Sequence, residues 1–103
     1  MFSSKTVREL IFNLKGRISK ILTVSSTLSE DELIALGGIY DTIDSIILWN
    51  KTLTKYKATK FKKAIKGYSS LIKNSKRDYI KNHINPMIKK IVEVEWVKKG
   101  RDE

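Results

Sequence analysis

The sequence predicts an all-α protein: a small antiparallel bundle of four to five helices, folded as a single domain over residues 1–103. Three observations carry that expectation. Apolar residues recur at steps of three and four through nearly the whole chain, the period of a helix with one buried face. Thr6-Val7-Arg8-Glu9 and Ser29-Glu30-Asp31-Glu32 both have the spacing of a capping box, in which a hydroxyl and a carboxylate satisfy free backbone N–H groups reciprocally. With 103 residues and no cysteine, the chain can bury one core without staples and has neither a disulfide framework nor a thiolate metal site.

The first helix is expected from about Thr6 to Leu22, with Val7, Leu10, Ile11, Leu14, Ile18, Ile21 and Leu22 forming its stripe. Ser25 to Ser29 reads as a loop. The second helix starts at the Ser29 box, and its three leading acids suit the positive end of a helix dipole. Its seam is Leu33, Leu36, Tyr40, Ile43, Ile47 and Asn50, widened by Ile39 and Ile46. Gly37 and Gly38 interrupt that seam at about 1 kcal/mol each relative to alanine. Because the apolar period continues on both sides, they predict a close helix crossing.

The third helix begins between Thr52 and Thr59 and closes at Asn74-Ser75. Phe61, Ala64, Ile65, Tyr68, Leu71 and Ile72 make its apolar stripe. Ser75 to Asp78 then offers a new cap. In the last segment Tyr79, Ile80, Ile84, Met87, Ile88, Ile91, Val92 and Trp96 keep helical register around Pro86. Proline lacks an N–H and crowds the preceding turn, so the last helix should be kinked or restarted at Pro86, with Asn85 as N-cap. Residues 98–103 should form a loose end.

Charge is distributed unevenly. From Lys51 to Lys90 there are thirteen Lys or Arg and one acid, Asp78; from Ile21 to Asn50 there are five acids and no base. The whole chain carries a formal +10. A forty-residue block with thirteen bases and one acid repels itself, which predicts an anionic partner. Lys55, Lys62, Lys66 and Lys73 share one face of the third helix, with Lys63 beside them and Lys76, Arg77 and Lys81 continuing the stripe. Each could neutralise a phosphate and release a condensed counterion. Seventeen Lys against four Arg favours contact with the phosphate backbone over reading of base edges, which leans on arginine's planar fork. Phe61 and Tyr68 belong to the core stripe, whereas Tyr56 lies off it and is the residue placed to stack on a base.

Catalytic signatures are absent. One histidine and no cysteine give neither a zinc site nor a Cys/His pair, and no glycine-rich phosphate loop or nucleophile elbow is present. Asp41 and Asp44 share a helix face, an arrangement read as a solvated acidic surface. No catalytic residue, metal ligand, cofactor or small-molecule substrate is therefore expected, and the protein is read as no enzyme.

The function expected is non-catalytic binding of nucleic acid through the lysine-rich face, with little sequence discrimination. The alternative is an inhibitor, immunity-type or regulatory module whose basic face docks on an acidic protein. A homodimer pairing the acidic second helix with the basic third is a further arrangement the charge split allows. Membrane association ranks last, since no apolar run approaches the roughly 18 residues of a span and no basic helix offers a spare apolar face. With no secretory leader pattern at Met1 to Lys5, a cytoplasmic location is expected.

Overall fold

Isoleucine builds this core. Among the described residues, twelve of the eighteen buried apolar side chains are isoleucine, whose branched β-carbon leaves it one strongly preferred rotamer in a helix. Little side-chain entropy remains to be lost when such residues pack. The computed structural model describes residues 4–49 and 55–93. They form α1 (Ser4–Val24), α2 (Glu30–Trp49), α3 (Lys55–Ser69) and α4 (Asn85–Glu93), with a π-helical turn at Ile80–Ile84 leading into α4. No strand occurs among the described residues.

Each helix packs on its neighbours in sequence, and α4 with its π turn closes back on α1; α1 and α3 stand diagonally, as do α2 and α4. This is the all-α antiparallel bundle anticipated above. Val7, Ile11, Leu14, Ile18 and Ile21 face the centre from α1, and Ala35, Leu36, Ile39, Ile43 and Ile46 from α2. Ala58, Phe61 and Ile65 enter from α3, with Ile80, Ile84, Ile88 and Ile91 opposite. No helix of the described residues is long and apolar enough to cross a membrane.

The capping box at Ser29 forms as its spacing predicts. Ser29 N–H donates to Glu32 Oε1 at 2.8 Å, and Glu32 N–H donates to Ser29 Oγ at 3.2 Å. At the other site α1 already runs from Ser4, so the Thr6 backbone lies within the helix, and the Thr6 side chain lies outside the described residues. The glycine pair divides in function. A Cβ at Gly38 would overlap the Tyr68 ring, whereas one at Gly37 meets nothing within 4 Å. Gly38 alone is therefore the close crossing between α2 and α3.

Three placements differ from the sequence pattern. Leu33 is 50% exposed, because the buried stripe of α2 centres on Ala35, Ile39 and Ile43 and leaves Leu33 on its flank. Leu71 is 43% exposed because α3 ends at Ser69 rather than Asn74. There Ser69 and Ser70 hydroxyls donate to the carbonyls of Lys66 and Gly67 at 3.0 and 2.7 Å. The chain tightens into three-residue steps, Leu71 N–H to Tyr68 O and Ile72 N–H to Ser69 O, which turns Leu71 outward and keeps Ile72 buried.

The third difference is at Pro86. The irregularity is present, but it is a widened turn without an N-cap. Asn85 is helical, with φ −59° and ψ −43°, and its N–H donates to the Ile80 carbonyl five residues back. The wider turn moves the preceding carbonyls away from the proline ring, so the helix continues through it. The Asn85 amide Nδ2 instead donates to the Ile72 carbonyl at 2.9 Å, tying α4 to the chain that leaves α3. The helix ahead of the π turn starts after Arg77, whose carbonyl accepts from Lys81 N–H at 2.9 Å. The Ser75 hydroxyl sits two residues earlier and accepts from Arg77 N–H at 3.2 Å. The side chains of Ile47, Trp49 and Lys55, together with Asn50, Thr52, Trp96 and residues 98–103, lie outside the described residues.

Candidate nucleic-acid interface

The basic side chains proposed for an anionic partner separate into three groups. On the outer surface of α3, Tyr56 is 71% exposed, Lys60 Nζ lies 5.7 Å from its ring centroid, and Lys63 is exposed nearby. The Tyr56 ring is thus free of core duty, as its position off the apolar stripe implies. Lys62 is half-buried and engaged within the fold. Lys81 is exposed on the π turn.

The second group meets at a groove of about 350 Å³ between α3 and α4. Lys66, Ser69 and Lys73 line one wall. Asn85, Ile88, Lys89, Val92 and Glu93 line the other. Three ammonium groups therefore come from two walls around a partly apolar floor. Lys66, Lys73 and Lys89 are all exposed, and none joins an ion pair among the described residues. The sequence pattern alone does not single out Lys89. Its signal was there, because Asn85, Lys89 and Val92 share one helical face, but Pro86 left the register of that segment open.

The third group is neutralised. Arg77 reaches Glu32 with two parallel bonds, Nε to Oε2 at 3.0 Å and Nη2 to Oε1 at 3.1 Å. The same guanidinium donates to the Thr27 carbonyl at 2.9 Å and to Thr27 Oγ1 at 3.3 Å. Ser75 Oγ donates to Glu32 Oε2 at 3.2 Å. Glu32 is only 9% exposed. The arginine beside it, aided by the Ser29 backbone and hydroxyl, overcomes the burial and holds its carboxyl at about 2, well below the ordinary 4.5. Arg77 is correspondingly raised by Glu32. This planar, bidentate pair fastens the start of α2 to the connection between α3 and α4. Lys76 stands exposed beside it, in a separate, more open depression shared with Asp31 and Leu71.

The acidic face is partly accounted for. Asp44 accepts from Lys15 Nζ at 2.6 Å, a contact that raises the lysine's proton affinity, and Lys15 also lies 5.2 Å from the Tyr40 ring centroid. Asp41 is exposed on the surface. No group of three or more His, Asp or Glu placed to hold a metal ion occurs among the described residues. Compared with known proteins, the chain matches no family model, no curated protein and no solved structure.

Proposed function

We propose that this protein is a non-catalytic nucleic-acid-binding module that grips the phosphate backbone, with little sequence discrimination, through lysines of α3 and the segment after it. The observation that carries the reading is that Lys63, Lys66, Lys73 and Lys89 stand exposed and outside any ion pair among the described residues. Keeping several like charges unneutralised on neighbouring helices weakens the fold, and a polyanion removes that cost when it binds. Tyr56 adds an exposed ring on α3. Arg77 takes no part, since its guanidinium is committed to Glu32, and Lys62 is better read as a fold residue. A cysteine-free chain suits a reducing, cytoplasmic setting.

The test is a salt titration of binding to duplex DNA, single strands, RNA and heparin. If Lys63, Lys66, Lys73 and Lys89 each meet a phosphate, the slope of log K against log salt on duplex DNA should be about −3.6. Reversing Lys63, Lys66 and Lys73 to Glu should abolish retention while the helical circular-dichroism signal persists. Unchanged binding by that variant would remove the proposed surface.

A further inference from the structure

The α3–α4 groove differs in kind from a convex basic face. It sets cations on both of its walls, Lys66 and Lys73 against Lys89, beside the half-buried Val92 and the edge of Ile88, which is 4% exposed. Its volume of about 350 Å³ falls at the lower end of the roughly 300–1,000 Å³ typical of pockets for small organic groups. The hydrogen bond from Asn85 Nδ2 to the Ile72 carbonyl, 2.9 Å, pins the chain leaving α3 against α4 and fixes the width of the slot at that end.

We infer that this groove seats a single-stranded segment of polynucleotide, with phosphates at the lysine rims and an unstacked base against Ile88 and Val92. The inference rests on the nucleic-acid reading above and narrows it to strand type. A duplex keeps its bases stacked inside and offers a protein surface mainly its phosphates, so an apolar floor gains nothing from it. A single strand presents phosphates and uncovered base faces together, matching a slot with charged rims and a greasy floor. Glu93 supports the same occupant. A carboxylate among three ammonium groups weakens a site for phosphate alone, but it accepts hydrogen bonds from a base's exocyclic amine.

The test uses fluorescence anisotropy with short labelled oligonucleotides of one sequence, free and annealed to their complement, at matched low salt. An acidic amphipathic peptide serves as a further probe. The single strand should bind about tenfold tighter than the duplex. Ser69→Phe, which fills the slot without removing a lysine, should erase that preference. If Ser69→Phe disturbs folding, Val92→Ser removes floor without adding bulk and should cut the preference several-fold. Equal affinity for both strand types, indifferent to these variants, overturns the inference and leaves the broader function standing. Binding of the peptide and of neither oligonucleotide overturns both.

Discussion

At Glu32 a single side chain performs three tasks: it closes the capping box, pairs with Arg77 and accepts from Ser75. Its depressed pKa makes it a source of pH-dependent stability. The folded value is about 2 against an ordinary 4.5, so its contribution is complete above about pH 4.5 and is lost as the pH falls toward 2. The linkage relation gives about 3 kcal/mol over that window. Urea midpoints measured from pH 6 down to pH 2 should show this acid limb, and Glu32→Gln should flatten it. The capping half of the arrangement is legible in the sequence because Ser29 and Glu32 are three apart. The Arg77 half is not, because the partner lies 45 residues away inside a block of like charge, where nothing local distinguishes it from its neighbours.

Between elements, the glycine pair gives a clean contrast. Gly37→Ala meets open space and removes a helix-propensity deficit, so it should stabilise by up to about 1 kcal/mol. Gly38→Ala drives a methyl into the Tyr68 ring and should destabilise by about 1–3 kcal/mol despite the same propensity gain. Chemical denaturation of the two variants checks the sign of each. Sequence periodicity locates the helices and most of the stripe that each buries. It misplaces Leu33 and Leu71, where a stripe is narrower or a helix shorter than its apolar pattern, and it sees an obstacle at Pro86 without the widened turn that relieves it. The outcomes at Leu71 and Pro86 depend on hydroxyl and carbonyl partners around the turns, which a hydrophobic pattern does not encode.

For the molecule as a whole, a formal +10 makes salt act in opposite directions on two properties. Screening the excess of like charge should raise the thermal midpoint as ionic strength goes from low to physiological, while the same salt weakens binding of a polyanion. Scanning calorimetry and anisotropy across one salt series test both; a midpoint indifferent to salt would mean that the lysines cost the fold nothing. The sequence names the lysines of the basic block but not how the fold divides them. Arg77 turns inward, and Lys66 and Lys73 find Lys89 across a groove, because tertiary docking of α4 sets both outcomes.

The bridge from Glu32 to Arg77 also bears on how long the folded molecule persists. It joins segments that meet only after α2 and the connection to α4 have docked, so it should be absent from the folding transition state and present only in the finished bundle. Its loss should then shorten the native lifetime without delaying assembly. In stopped-flow chevrons, Arg77→Leu should raise the unfolding arm by most of its equilibrium penalty and leave the refolding arm where it was, so that one contact governs durability more than speed of formation.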